Sequence, residues 1–312
     1  MKYTLLGRSG LNISVIGLGA MSLPDSDEMK TNRIIHQAIE LGINYIDTAD
    51  LYNKGLNETN IGKALKGKRG SVVLATKVGN QWKKDGTGWD WNPRKEYILS
   101  AVEESLRRLQ TDHIDVYQLH GGTIEDPIDE TIEAFELLMQ EGKIRHYGIS
   151  SIRPNVIREY VRRSQIVSVM MQYSLVDRRP EEEILEFLRT NHIGVLVRGT
   201  LAQGMLVNKP AKNYLGHGTA AIEKAAAAVH GLSHKNLNDG TEQVSSYKKR
   251  TAAQTAIRYV LQHPAVTAAV AGVSSLAQLE EIAGTSDVDP LDEQELRLLA
   301  SSIPANKYEQ HS

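Results

Sequence analysis

Short apolar segments alternate with longer amphipathic segments along this chain, and the alternation repeats eight times. Most of the apolar segments are continuous runs, as is typical of strands that are buried on both faces of a parallel sheet. Strands that alternate with helices predict parallel strands joined by helical crossovers. The strand-like segments lie at 15–19, 43–47, 71–76, 114–119, 144–150, 166–171, 194–197 and 265–272.

The segments between these strands have helical periodicity. They predict helices at 28–41, 57–66, 94–110, 128–141, 154–163, 181–191, 249–262 and 275–284, followed by one more amphipathic helix at 291–302. The economical solution is an α/β fold in which the strands close into a (β/α)8 TIM barrel, with the active site at the C-terminal face of the strands. An open, doubly wound sheet is the alternative.

No linker or change of composition interrupts the series, so we interpret residues 1–312 as a single domain. Barrels of this class often have roughly 200 to 250 residues or more in one domain. The irregular part is 205–248, which follows the seventh strand and has polar, Gly-rich flanks around an Ala-rich centre. A long excursion at this position predicts a lid or binding loop.

Composition limits the classes of function. The formal net charge of -2 does not favour nucleic-acid binding, which requires a basic surface. No apolar run approaches the roughly 18 residues of a membrane span, and the N-terminus lacks the apolar core of a signal peptide. The chain has no cysteine, and its ten histidines show no metal-binding spacing. We therefore expect a cytoplasmic protein without a metal site.

Polar side chains follow three consecutive predicted strands. Asp47 and Tyr52 follow the second strand, Lys77 the third and His120 the fourth. Each residue type is common in loops, so none is informative alone. In a barrel, however, the C-terminal ends of neighbouring strands meet at one mouth. The joint occurrence predicts a catalytic site.

The four residue types suit proton transfer to a carbonyl group. A phenol, with an ordinary pKa of about 10, is a poor acid near neutrality, but a neighbouring ammonium favours its ionised form. Asp47 would keep Lys77 charged and oriented, and the imidazole of His120 would donate to a carbonyl oxygen. The set supplies a proton but no hydride, so a reduction would require a nicotinamide cofactor.

The chain resembles the aldo-keto reductase superfamily, whose Asp, Tyr, Lys and His tetrad is matched by Asp47, Tyr52, Lys77 and His120. The matching contexts are "GINYIDTADLY", "LATK", "IDVYQLH", "GKIRHYGIS" and "GVSSLAQLEE", spread over nearly the whole chain. The sequence "LHGG" is similar to that of bacterial members. The resemblance implies a (β/α)8 barrel and NAD(P)H-dependent reduction of a small aldehyde or ketone, with Tyr52 as the proton donor.

The resemblance also implies which residues bind the cofactor. Arg198 stands where many relatives have an aromatic ring, and the family's glutamine falls on Met170, so that Gln172 is the substitute on the same face of the strand. The implied cofactor-binding residues are Ala20, Met21, Asp47, Ser150, Ser151, Gln172, Arg198, Gly199, Thr200, Leu201, Gln203, Gly204, Gly272, Ser274, Gln278 and Glu281.

The segment from Gly272 to Glu281 contains no basic residue. Relatives generally prefer NADPH and hold its 2′-phosphate with Lys or Arg here, whereas this chain has Ser274. We therefore expect NADPH to be used with a weaker preference over NADH than is usual. A basic side chain of the excursion, Lys209 or Lys212, is the alternative source of a phosphate contact.

Two alternatives remain open from sequence. A cofactor-binding regulatory protein that resembles potassium-channel β-subunits is the rival function, although no tail or basic stripe indicates a protein partner. The segment 79–91 holds all three tryptophans, and they suit an apolar substrate pocket or packing of that loop equally well. The substrate and the oligomeric state are not predicted.

Overall fold

Eight parallel strands close into a barrel in the computed structural model, which describes residues 1–233 and 250–310. The described residues contain these eight strands and four more that form two separate hairpins. In chain order the strands are β1 (Tyr3–Leu5), β2 (Asn12–Ser14), β3 (Ile16–Gly19), β4 (Tyr45–Asp47), β5 (Val73–Val78), β6 (Asn80–Trp82), β7 (Trp89–Trp91), β8 (Ile114–Leu119), β9 (Ile144–Ser150), β10 (Ser168–Gln172), β11 (Gly194–Arg198) and β12 (Val266–Gly272), and the hairpins are β1–β2 and β6–β7. Around the barrel the order is β3, β4, β5, β8, β9, β10, β11, β12. The predicted (β/α)8 barrel and its eight strands are confirmed, and the open-sheet alternative is wrong.

The helices of the described residues lie at the predicted positions, mostly with shorter ends, and one further helix lies in the excursion after β11. They are α1 (Glu28–Glu40), α2 (Leu56–Ala64), α3 (Lys95–Leu109), α4 (Ile128–Gln140), α5 (Pro154–Arg163), α6 (Ile184–Thr190), α7 (Thr219–Gly231), α8 (Ala252–Leu261), α9 (Leu276–Ala283) and α10 (Glu293–Ser302). Helix α8 begins after Thr251 because this residue and Gln254 form a reciprocal capping box. Helix α6 starts later than predicted because a separate 3-10 turn, Arg179–Glu181, precedes it.

An N-terminal hairpin covers the end of the barrel at which the strands begin. Its two antiparallel strands are β1 and β2. Leu6 and Ile13 are fully buried and pack with Tyr45 and Val116 in the inner core of the barrel. The backbone of Gly7 lies against that of Gly194, the first residue of β11. The opposite end, where the strands finish, is therefore the end available for a site.

The described part of the excursion after β11 contains a helix. Its Ala-rich centre forms the thirteen-residue helix α7, which packs against α8 and α10. The buried residues of α7 follow helical spacing and are Ile222, Ala225 and Val229. The rest of the predicted lid, 234–248, lies outside the described residues. Within the described parts of the chain, no helix is both long enough and apolar enough to cross a bilayer.

Candidate active site

Three of the four candidate catalytic residues stand at the C-terminal ends of neighbouring strands. Asp47 is the last residue of β4, Lys77 is the next-to-last residue of β5, and His120 directly follows β8. Tyr52 begins a short 3-10 turn in the loop after β4. Because β4, β5 and β8 are adjacent in the barrel, the sheet brings the four residues to one region of its open end.

A buried ion pair lies at the centre of this cluster. The Lys77 ammonium donates to Oδ1 of Asp47 and, at 2.6 Å, to the backbone carbonyl of Thr48. The second carboxylate oxygen of Asp47 accepts from the side-chain amide of Gln118 at 2.9 Å. The side chains of Lys77 and Asp47 are only 1% and 5% exposed, so water competes little for either charge.

Tyr52 contacts both Lys77 and His120. The Nζ atom of Lys77 lies 5.1 Å from the centre of the Tyr52 ring. The His120 ring meets the Tyr52 ring edge to face, with the centroids 5.9 Å apart and an interplanar angle of 82°. Tyr52 is half-buried and lines a surface cleft of about 530 Å³ together with Met21 and Asn53. Its ring is therefore held by the cluster while it borders solvent-accessible space.

Burial and pairing together set the charges of Lys77 and Asp47. Burial by itself lowers the pKa of Lys77, but attraction to Asp47 and to the Tyr52 hydroxyl outweighs it, so the pKa lies above its usual value. Burial raises the pKa of the Asp47 carboxyl, and Lys77 and Gln118 oppose that rise. The charge on Asp47 consequently depends on the presence of its partners.

His120 is uncharged near neutral pH. Burial, followed by the positive charges of Lys77 and Arg198, lowers its pKa to about 3. Its Nδ1 atom is buried and has no hydrogen-bond partner among the described residues. The backbone is anchored on both sides, because its N–H donates to the carbonyl of Val78 at 2.7 Å and its carbonyl accepts from the Asn80 amide at 3.3 Å. A neutral imidazole keeps one N–H donor.

Gln172 and Arg198 form one hydrogen-bonded group at the ends of β10 and β11. The Gln172 carbonyl oxygen accepts from the Arg198 guanidinium at 3.1 Å. Its amide nitrogen donates to Asp177 at 2.8 Å and to the Tyr214 hydroxyl at 3.0 Å. Met170 packs in the inner core and is 2% exposed. Gln172 is therefore the residue of β10 that brings an amide to the open end of the barrel.

The two candidate serines lie beside this group. Ser150 is the last residue of β9 and pairs with Met170 in the sheet register. Ser151 is 6% exposed, and its hydroxyl oxygen accepts from the backbone N–H of Arg153 at 3.2 Å. Both serines thus lie next to the strand that ends at Gln172.

The loop after β11 has two glycines with left-handed backbone angles. Gly199 has φ +75° and Gly204 has φ +93°, a region that favours glycine. Thr200 is buried and Leu201 is half-buried, whereas Gln203 is exposed. The loop therefore turns sharply and presents backbone as well as polar side chains at the surface.

Lys209 lies over this loop. A Cβ atom at Gly204 would be 3.0 Å from Cδ of Lys209, and the Lys209 backbone N–H donates to the Gly204 carbonyl at 3.0 Å. Lys212 is exposed further along the chain. Of the two lysines named from sequence, Lys209 is the one that packs on the glycine-containing loop.

The turn after β3 lies beside the end of β12. Gly272 pairs with Gly19 in the sheet register, and a Cβ atom at Gly272 would be 2.8 Å from the hydroxyl oxygen of Ser22. Within the same turn Ala20 is buried and Met21 is 68% exposed. The two segments therefore approach each other closely at Gly272 and Ser22.

The segment after β12 is exposed and has no cation. The side-chain oxygen of Gln278 accepts from the backbone N–H of Ser274 at 2.9 Å and from its hydroxyl at 3.1 Å. Glu281 is half-buried, and its carbonyl accepts from the Gln254 amide at 3.0 Å. Hydroxyl, amide and carboxylate groups are what this segment offers to a ligand.

The tryptophans of 79–91 have different surroundings. Trp89 is 49% exposed, and the ammonium of Lys54 lies 5.2 Å from the centre of the Trp82 ring. Trp91 packs against the glycines that follow β5 and His120. Packing onto the barrel therefore accounts for Trp91, whereas Trp89 lies at the protein surface.

Gln118 and Tyr214 belong to the site, although sequence reasoning did not select them. Gln118 lies within the buried strand β8 and bonds Asp47, and a polar side chain in a predicted buried strand was the available signal. Tyr214 reaches Gln172 from the excursion, and no local pattern indicates such a long-range contact.

Comparisons with known proteins show which family the chain resembles. A model of the Aldo/keto reductase family matches residues 15–303. The uncharacterized oxidoreductase YqkF of Bacillus subtilis strain 168 is 47% identical over 312 residues, which cover 100% of this chain and 99% of that protein. The NADH-specific methylglyoxal reductase of Escherichia coli strain K12 is 30% identical over 300 residues, which cover 90% of this chain and 92% of that protein.

Among solved structures, the holo form of aldo-keto reductase AKR11C1 from Bacillus halodurans has a TM-score of 0.89 and 48% identity, covering 100% of this chain and 99% of that one. The relatives are named as oxidoreductases or reductases, which does not favour the regulatory alternative. The barrel, the sequence match and these relatives together show that the chain belongs to the aldo/keto reductase family, whose members are oxidoreductases that act on carbonyl groups with nicotinamide cofactors.

Proposed function

We propose that this protein reduces an aldehyde or ketone to the alcohol with NAD(P)H, and that Tyr52 donates the proton. The observation that carries the proposal is the buried Lys77–Asp47 ion pair, whose ammonium lies 5.1 Å from the centre of the Tyr52 ring. A buried ammonium beside a phenol stabilises the phenolate that forms when the phenol gives up its proton.

Each side chain of the cluster has one role in this proposal. The Tyr52 hydroxyl donates its proton to the carbonyl oxygen of the substrate. Lys77 stabilises the resulting phenolate, and Asp47 keeps Lys77 charged and in place. His120 is neutral and donates its N–H to the carbonyl oxygen, which fixes the substrate. The nicotinamide, when bound, supplies the hydride.

The residues around the open end suit a nicotinamide dinucleotide. Ser150, Ser151 and the amide of Gln172 provide the donors and acceptors that a carboxamide requires. The planar guanidinium of Arg198 can stack on a ring. Lys209 brings a positive charge to the glycine-containing loop after β11, where it would meet the pyrophosphate. Side chains of this protein would thus hold both the carboxamide and the pyrophosphate of the dinucleotide.

We infer a weak preference for NADPH over NADH. Ser274 and Gln278 bond each other in the segment after β12, and no basic residue lies between Gly272 and Glu281. A charge-assisted hydrogen bond is roughly twice as strong as a neutral one, so a 2′-phosphate gains less here than it would from an arginine. The NADH specificity in the name of the Escherichia coli relative is compatible with this inference.

Tyr52→Phe tests the proton donor directly. The ring stays and only the hydroxyl is removed, so we expect NADPH binding to persist while aldehyde reduction falls by at least about a hundredfold. Turnover is measured as NADPH consumption with 4-nitrobenzaldehyde and with methylglyoxal. Tyr3→Phe, at an exposed tyrosine of β1, is the matched control. Near-normal turnover of Tyr52→Phe would remove Tyr52 from the proposed role.

A further inference from the structure

The hairpin β6–β7 contacts loops that carry candidate catalytic residues. Two residues after Tyr52, the Lys54 ammonium donates to the carbonyl of Gly86 at 3.2 Å. From the other side of the hairpin, the Asn80 amide donates to the backbone carbonyl of His120 at 3.3 Å. The hairpin also begins directly after β5, the strand of the candidate lysine. The hairpin therefore touches three of the four chain segments that form the cluster.

Trp91 packs against the glycines that follow Lys77 and His120. A Cβ atom at Gly79 would lie 2.6 Å from Cζ3 of the indole, and a Cβ atom at Gly121 would lie 3.3 Å from the same atom. The edge of one ring thus fills the space that both glycines leave. Because the ring is rigid, it fixes how closely the ends of β5 and β8 approach it.

Asp126 holds the indole in place. The Trp91 N–H donates to both carboxylate oxygens of Asp126, at 3.0 Å each. Asp126 in turn accepts from the backbone N–H of Thr123 at 2.7 Å, within the loop that follows His120. The ring of Trp91 is therefore tied to the same loop whose start it contacts.

We propose that Trp91 is a positioning residue, which holds the exits of β5 and β8 so that Lys77 and His120 face Tyr52. The inference rests on the carbonyl-reducing function proposed above. A displacement of about 1 Å can lower turnover by roughly a hundredfold. Apart from Asp47, the proposed cofactor contacts lie in the turn after β3, at the ends of β9 to β12 and in the segments after β11 and β12, so we expect NADPH affinity to change little when Trp91 is replaced.

Trp91→Leu and Trp91→Phe test the proposal, with Trp89→Leu on the same hairpin as the matched control. The measurements are kcat and KM for 4-nitrobenzaldehyde, NADPH affinity by calorimetry, melting temperature, and the imidazole NMR resonances of His120. We expect Trp91→Leu to lower kcat by about tenfold to a hundredfold, to leave NADPH affinity unchanged and to shift the His120 resonances. Trp91→Phe should lie between the wild type and Trp91→Leu, and Trp89→Leu should leave the His120 resonances as in the wild type.

Asp126 provides a second, independent route to the same result. Asp126→Asn keeps an oxygen acceptor for the indole and should retain most of kcat, whereas Asp126→Leu should reproduce the loss of Trp91→Leu. These variants and Trp91→Phe carry the test if Trp91→Leu does not fold.

A Trp91→Leu protein with wild-type kcat and wild-type His120 resonances, changed only in melting temperature, would show that Trp91 merely packs the hairpin. The His120 resonances test the positioning role of Trp91 even if the protein shows no turnover. A wild type that reduces no aldehyde, in which Trp91→Leu still shifts His120, would overturn the proposed function and retain the positioning role.

Discussion

The two ends of the proposed cofactor and substrate groove differ in how their polar groups are held. At the mouth formed by β4, β5 and β8, Lys77 is 1% exposed and bonds two oxygens within the barrel. In the segment after β12, Ser274 and Gln278 are exposed and bond each other. The first end has fixed charges away from water, whereas the bonded pair of Ser274 and Gln278 is neutral and lies in water.

This difference is consistent with the role that we propose for each end. A proton donor needs a fixed environment at the moment of reaction, and burial strengthens the electrostatic interaction between neighbouring charges. At an exposed surface, water and salt screen the polar contacts with a cofactor, so each contact contributes little binding free energy. We therefore expect substitutions at the buried mouth to have much larger effects than substitutions at the exposed end.

Lys77→Met should produce the largest effect. The phenol loses its neighbouring charge, and burial raises the pKa of Asp47 against the weaker opposition of Gln118 and Arg198 alone. Turnover should fall by at least about a hundredfold, and the pH profile of reduction should change. Lys63→Met, which removes an exposed partner of Glu28, is the control. An unchanged pH profile in Lys77→Met would make Lys77 a structural residue.

His120→Gln should alter the pH dependence of stability. The folded-state pKa of His120, about 3, lies below the ordinary value of about 6.5, so the unfolded chain binds the proton first as pH falls. The free energy of unfolding therefore decreases as the pH falls below about 6.5. The wild type should lose about 2 kcal/mol more than His120→Gln between pH 7 and pH 5. Urea unfolding measures the difference, and His230→Gln, at an exposed histidine of α7, should behave as the wild type. Equal losses in wild type and His120→Gln would mean that His120 is hydrated and titrates normally.

Ser274→Arg should shift cofactor preference moderately. An added guanidinium can form a charge-assisted contact with the 2′-phosphate, which should raise the NADPH to NADH ratio of kcat/KM by about tenfold. Ser100→Arg, on the exposed surface of α3, controls for the added charge. A wild type that already discriminates strongly for NADPH, with no response to Ser274→Arg, would contradict the inference about this segment.

Lys209→Met should have the smallest effect of the series. If Lys209 meets the pyrophosphate, NADPH and NADH should both bind about threefold to fivefold more weakly, because the contact is exposed and partly screened. Calorimetry with each cofactor measures the change, and Lys212→Met is the matched control. Weaker binding of NADPH alone would instead assign Lys209 to the 2′-phosphate and restore a cation to the exposed end.

Much of the fold and the cluster was predictable because the information is local. Apolar runs at regular spacing identify the eight barrel strands, and Asp47, Lys77 and His120 stand at the ends of three such runs. The N-terminal hairpin was not predicted, because the short segments around Leu6 and Ile13 show no periodicity by themselves. Their burial becomes apparent only when the starts of the other strands surround them.

The sequence by itself determined the order of strands and helices and the residue types delivered to the open end of the barrel. Only the tertiary structure decided which groups support them. Gln118 of β8 donates a hydrogen bond to Asp47 of β4, and Trp91 contacts Gly79 after β5 and Gly121 after β8. Such contacts join residues far apart in the chain, and their geometry depends on barrel closure, so no local pattern of residues encodes them.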